Sequence, residues 1–215
     1  GAADPITSVC ASETNVFVGK QSGAILRFSL PHLGLERQYT VRLRPHTLHV
    51  NCTSSRLAIV DITGSLYILE LDAEDGKEEL LVHIEKKKDV WDVKWAEDDA
   101  DSFAIMEKTR LTVHKLTPEG VESEDPIPSS AYISRFKDLV VTGVLVDEIL
   151  AKPEQPDRDA IVTYETSLLK ETRETIESVG LTEATQQVEQ IGNKMLFRLV
   201  AEAALEALDF EVAER

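Results

Sequence analysis

The chain has 215 residues, 42% of them hydrophobic and 29% charged, which is enough apolar content for one or two packed domains. Its net charge of −16 is uneven: residues 1–60 hold six Lys/Arg against three Asp/Glu, a net of +3, and the remainder carries −19. An acidic surface of that kind repels phosphate backbones and anionic lipid, so nucleic acid and membrane surfaces are poor direct ligands for the C-terminal part.

No run of eighteen apolar residues occurs, and the opening GAADPITSV lacks the basic and apolar regions of a secretory signal. The expectation is a soluble, intracellular protein. Cys10 and Cys52 form no CxxC pair and are too few for a disulfide framework, so they read as small core thiols in a reducing compartment.

Up to about residue 147, β-branched and aromatic residues alternate with polar ones between Gly, Asn, Asp and Ser turns. In chain order the predicted strands are ITSVCAS, NVFVGK, AILRFSL, RQYTVRL, TLHVNC, RLAIVDI, SLYILEL, ELLVHIE, VWDVKWA, SFAIME, RLTVHKL, AYISRF and DLVVTGVLV. No helix separates them, so this part is all-β. VCASETNVFVGKQSGAILRFSL resembles VNCTSSRLAIVDITGSLYILEL, with turn glycines Gly23 and Gly64 spaced 41 residues apart. A third copy, VKWAEDDADSFAIMEKTRLTVHKL, puts Arg110 in the matching turn 46 residues after Gly64. Those periods are the periods of four-stranded propeller blades. Trp91-Asp92 falls in a first strand rather than at the end of a third one, so the dipeptide is coincidental to the repeat, and Trp91 and Trp95 are read as blade-packing aromatics.

KPEQPDRD at 152–159 is polar and Pro-containing, because each Pro disfavours helix in the residue before it. It predicts a domain boundary: WD40-type blades over 1–151, a linker over 152–162, and helices over 163–215. Predicted helices run from Glu165 to Val179, from an N-cap at Thr182 to Ile191, and from Lys194 to about Leu208. In the last one Arg198, Glu202, Glu206 and Asp209 form one polar stripe, so most of its circumference needs cover. Phe197, Val200, Ala201, Ala204 and Ala213 fall at the large and small sites of a tetratricopeptide repeat, with a generic helical hairpin as the alternative. The fold class expected is all-β propeller blades followed by all-α TPR-like solenoid helices. Three blades and one repeat do not close such folds, so the chain is expected to be an excerpt of a longer one.

SSRLAIVDITGSL at 54–66, DVWDVKWAEDDADSFAIMEKTR at 89–110, VDEIL at 146–150 and LFRLVAEAALEALDFEVAE at 196–214 together resemble the WD-repeat subunits of intraflagellar transport complex A, over nearly the whole chain. The acidic stretch from Glu70 to Glu79 and the segment Thr117 to Ser130 depart from that resemblance. The resemblance implies two propellers before a long solenoid, a non-catalytic scaffold role in retrograde transport and ciliary entry of membrane proteins, and a place in cytoplasm, cilium and ciliary base. Implied partners are the other subunits of the complex, with ciliary membrane-protein cargo contacted indirectly. A coatomer-like vesicle coat or a WD-repeat tubby-like scaffold is the alternative.

Chemistry has few carriers here. His46, His49 and Cys52 form H-x2-H-x2-C, but positions 46 and 49 of a strand face opposite sides, and 46 and 52 lie about 20 Å apart at roughly 3.3 Å per residue. No P-loop, GxGxxG, HExxH or GxSxG is present. The runs Glu97-Asp98-Asp99 and Glu122 to Asp125 read as solvated loops, and Lys86-Lys87-Lys88 as a loop tip open to an acidic partner. No cofactor, metal or catalytic residue is expected, and the chain is read as no enzyme.

Overall fold

The computed structural model describes residues 4–72, 81–84, 89–155, 157–209 and 212. They form two compact units, Gly1–Lys137 with Thr142–Val162, and Asp138–Val141 with Thr163–Arg215.

The first unit is built of antiparallel sheets. Strands β1 (Ile6–Ala11), β2 (Asn15–Lys20), β3 (Ala24–Ser29) and β4 (Leu35–Thr40) pair in sequence order. β5 (Pro45–Val50), β6 (Arg56–Asp61), β7 (Leu66–Glu70) and β8 (Leu81–His83) repeat that order. β9 (Val90–Trp95), β10 (Ser102–Glu107), β11 (Arg110–Thr117) and β12 (Gly120–Ser123) do so again, and a short β13 (Ile127–Pro128) pairs with β11. A last sheet has the order β14 (Tyr132–Lys137), β15 (Val140–Val144), β16 (Ile161–Glu165). Among the described residues no helix occurs between positions 15 and 115, as the repeat requires.

The blades stack through both faces, which explains why β6 reads as a continuous apolar run instead of an alternating one. Leu57 and Ile59 join Phe17, Ile25 and Tyr39 of the first blade, whereas Ala58 and Val60 join Trp95, Phe103 and Ile105 of the third. Turn chemistry sets the strand pairing. Gly23 takes φ +93° in the β2–β3 turn, and a Cβ there would lie 2.1 Å from the Val41 carbonyl oxygen, so only glycine fits. In the β6–β7 turn the Asp61 carboxylate accepts from the Thr63 and Ser65 amides at 2.8 and 3.0 Å, a side-chain mimic of a backbone turn. Arg110 is not in the third turn but opens β11, opposite Glu107. The tight two-residue turn is Lys108-Thr109, where Lys108 takes φ +53° without a glycine.

The inner strands β1, β5 and β9 share an irregularity that the sequence did not reveal. The register slips by one residue between Ile6 and Ser8, between Pro45 and Thr47, and between Val90 and Asp92. Thr7, His46 and Trp91 are therefore the extra residues of three equivalent bulges, and all three are exposed.

Beyond β15 a short helix α1 (Val146–Ala151) carries Asp147 and Glu148 in its first turn, where they suit the positive end of the helix dipole. The second half of the expected linker, residues 158–162, carries regular structure. Asp157 caps a 3₁₀ turn at Arg158–Ala160, Ala160 is fully buried, and its carbonyl accepts the Leu145 amide at 2.8 Å before β16 begins. The β-branched Ile161, Val162 and Thr163 that follow the prolines favour strand pairing, and this outweighs the polar composition upstream.

The second unit holds helices α2 (Ser167–Ser178), α3 (Leu181–Ile191) and α4 (Lys194–Glu206). α2 starts at Ser167 behind a Thr166 cap, two residues after the expected Glu165, because Glu165 still belongs to β16. α3 starts beyond Gly180 rather than at Thr182, since φ +118° at that glycine reverses the chain at once. Asn193 caps α4 by accepting from the amides of Met195 and Leu196 at 2.9 and 3.3 Å. Leu169, Ala184, Val188, Leu196 and Val200 form the core of this unit.

Candidate interaction surfaces and blade seams

What the blades can do follows from how they are locked together. Between the first two blades the Tyr39 hydroxyl donates to the Leu71 carbonyl at 2.9 Å, and Arg27 reaches Glu36 and Asp72, each at 3.2 Å. Between the second and third, Arg56 bridges Glu70 and Asp101, while Asn51 accepts the Ser55 and Arg56 amides and donates across the seam to the Ala100 carbonyl at 3.0 Å. At the next seam the Asp92 carboxylate accepts the Ile133 amide at 2.7 Å, and the Glu97 amide donates to the Phe136 carbonyl at 2.9 Å. Burial pushes the Asp92 carboxyl up from its ordinary value, and the amides of Ile133 and Val93 oppose that rise. Each of these three seams thus carries a side-chain to backbone hydrogen bond, and the first two also share an apolar core.

The two tryptophans have different roles. Trp95 is 5% exposed, tilts against Phe103 with ring centroids 5.0 Å apart, and donates its indole N–H to the His49 carbonyl at 2.8 Å across a seam. Trp91, 37% exposed on its bulge, donates to the Lys108 carbonyl and meets the Tyr132 ring edge-on at 4.8 Å. Both pack between blades, but only Trp95 is core.

On α4, Ala204 is fully buried, Ala201 is half-buried, and Phe197 is 38% exposed. Phe197 and Ala201 line one cleft of about 240 Å³ between α3 and α4, together with Val188, Val200 and Val212. Ala213 and Lys86-Lys87-Lys88 lie outside the described residues, as do residues 73–79 of the acidic stretch.

His46 is exposed, His49 is half-buried, and Cys52 is exposed in the turn after β5. Among the described residues no three His, Cys, Asp or Glu side chains gather as a metal site. Burial pushes the Cys10 thiol up to about 12, and burial with the Asp98, Asp99 and Asp101 charges raises Cys52, so both stay protonated thiols at neutral pH. Among the described residues no helix is long and apolar enough to cross a membrane.

Sequence reasoning missed Asn51, Asp92, Tyr132 and the two bridging arginines. Asn51 alone had a visible cue, a turn former next to Ser54-Ser55 at a strand end. The others depend on which residue of the next blade they meet.

Successive four-stranded antiparallel sheets with shared two-sided cores define blades of a WD40-type β-propeller, followed here by helices. Two solved structures share that fold: the computationally designed Ika4 protein (TM-score 0.51, 16% identity, 78% of this chain and 94% of that one) and Sqt1 of Saccharomyces cerevisiae (TM-score 0.51, 9% identity, 67% and 44%). The family model of the WDR35 second beta-propeller matches residues 1–165, and the chain belongs to that family. WD repeat-containing protein 35 of Homo sapiens is 43% identical over 221 residues, covering all of this chain, and that of Rattus norvegicus is 42% identical over the same length. The chain spans 18% of the length of these curated relatives. By that family it is a WD-repeat chain.

Proposed function

We propose that this segment works as a non-catalytic scaffold element of an intraflagellar transport complex A subunit. In that role the protein supports retrograde transport and the entry of membrane proteins into cilia, acting at the ciliary base and within the cilium. The whole-chain similarity to WD repeat-containing protein 35 carries the reading. The seams support it, because a platform locked blade to blade holds docking surfaces in fixed positions without any reacting group. The helices α2–α4 are read as the start of a TPR-like solenoid through which other subunits of the complex engage, with close packing at Ala204 and the Phe197–Ala201 cleft as its features.

The test is Ala204→Asp in the full-length protein expressed in ciliated cells. Ala204 is fully buried, so the substitution places an unpaired carboxylate in an apolar core and costs several kcal/mol. Co-purification of the other subunits and ciliary entry of membrane cargo are both expected to fall. If both stay normal with the variant at normal abundance, the proposal is wrong.

A further inference from the structure

The hairpin that joins β14 to β15 turns at Asp138 and Leu139, whose φ angles of +54° and +60° are those of a type I′ turn. Glycine is the preferred second residue of such a turn, because a Cβ there crowds the backbone, so Leu139 is strained. Strain of this kind persists only where the surroundings over-determine it.

Asp138–Val141 belong to the second unit, together with the helices. The half-buried Leu139 and Val140 pack against its core of Leu169, Ala184, Val188, Leu196 and Val200. The Leu139 carbonyl accepts the Thr166 amide at 3.0 Å. Thr166 is 3% exposed, so that amide needs an acceptor from the protein, and the Thr166 hydroxyl in turn caps α2 by accepting from the Leu169 amide at 3.4 Å. On α4, Arg198, paired with Glu202 at 2.7 Å, also feels the Asp138 charge. Helices of 12, 11 and 13 residues are marginal alone and depend on packing for their stability, so the surface that the tip adds to a small core carries weight. Leu208 shows the contrast: its φ is +59°, yet its side chain is 72% exposed. One strained leucine is packed and the other is not.

We propose that the Asp138–Val141 tip is a latch for the helical unit: while it is seated α2–α4 hold together, and when it is withdrawn they loosen as one cooperative unit. The β14–β15 hairpin is thereby a control point for the helices. The latch does not rest on the transport role.

Hydrogen–deuterium exchange of the full-length protein, read by mass spectrometry in peptides from α2–α4 and from β5–β7, tests it. Alanine keeps the strain of a positive φ and removes the packed atoms, so Leu139→Ala should speed exchange across α2, α3 and α4 by about fivefold or more and leave β5–β7 unchanged. Leu139→Met, which keeps the apolar volume, should stay within about twofold of the parent. Leu208→Ala makes the same change at the exposed leucine and should leave α2 and α3 as they are. Unchanged exchange of α2–α4 in Leu139→Ala would overturn the proposal. Faster exchange confined to α2 would do so too, since it marks the loss of one cap. Equally faster exchange in β5–β7 would overturn it by showing a general loss of stability.

Discussion

At the residue scale, His49 shows how a propeller seam reaches solution chemistry. Its carbonyl takes the Trp95 indole proton while its imidazole is half-buried, and burial, aided by the Lys94 charge, pushes the ring down to about 4. The unfolded side chain takes up its proton near its ordinary value of 6.5, so between that pH and about 4 the unfolded state holds more protons than the native one. The contribution of His49 to stability is complete above about pH 6.5 and is lost as pH falls through this window. Chemical denaturation of the parent and of His49→Gln across pH 7 to 4 should show the difference. The parent is expected to lose on the order of 2 kcal/mol more than the variant, a value reduced because the ring is not sealed from water. Parallel pH profiles would refute the assignment. The sequence marked His49 only as a poor zinc candidate, since nothing in its spacing shows that a lysine of the next blade stands beside it.

At the element scale, two helices end in the same backbone conformation with different residues. Gly192 takes φ +70° after α3 in open space, while Leu208 takes φ +59° after α4 with its side chain 72% exposed. Behind Leu208, the Asp209 amide bonds to the Ala204 carbonyl at 2.8 Å and the Leu208 amide to the Leu205 carbonyl at 3.1 Å, the paired bonds of a Schellman ending. Leucine is strained there and packs against little, so Leu208→Gly should stabilise the helical unit by about 1 kcal/mol, and Gly192→Leu should destabilise it by a similar amount. Thermal unfolding followed by far-UV circular dichroism checks both; a lower midpoint for Leu208→Gly would contradict the strain. Elements of this size were largely legible in the sequence. The 41-residue spacing of Gly23 and Gly64 gave the blades because turns there need positive φ, and the polar stripe from Arg198 to Glu206 gave α4. Lys108 hid the third turn by taking a glycine's conformation, and β16 was hidden by the prolines before it. The bulges at Thr7, His46 and Trp91 were not legible, because a one-residue slip changes pairing without changing composition.

At the scale of the whole molecule, charge governs behaviour more than any single site. The net charge of −16 keeps copies of the 215-residue chain apart at neutral pH, and the sequence pI of about 4.7 marks where that repulsion vanishes. Light scattering of the chain should peak near pH 4.7, and it should peak there in His49→Gln as well, because self-association follows net charge whereas the seam effect follows one ring. A peak that disappears in the variant would mean that acid exposure of the blade core, not charge neutralisation, drives association. The bulges bear on how such a platform changes over time. A hydroxyl at Thr7, an imidazole at His46 and an indole at Trp91 occupy the equivalent place in three blades, and each is exposed. Because the extra residue stands outside the register that builds the cores, Thr7 and His46 are free of the core packing that fixes their neighbours, whereas Trp91 is tied to Tyr132 and to the Lys108 carbonyl. The first two blades therefore each carry one position that a lineage can rewrite on its own, so this edge can acquire a new partner one blade at a time while the seam beneath it stays as it is.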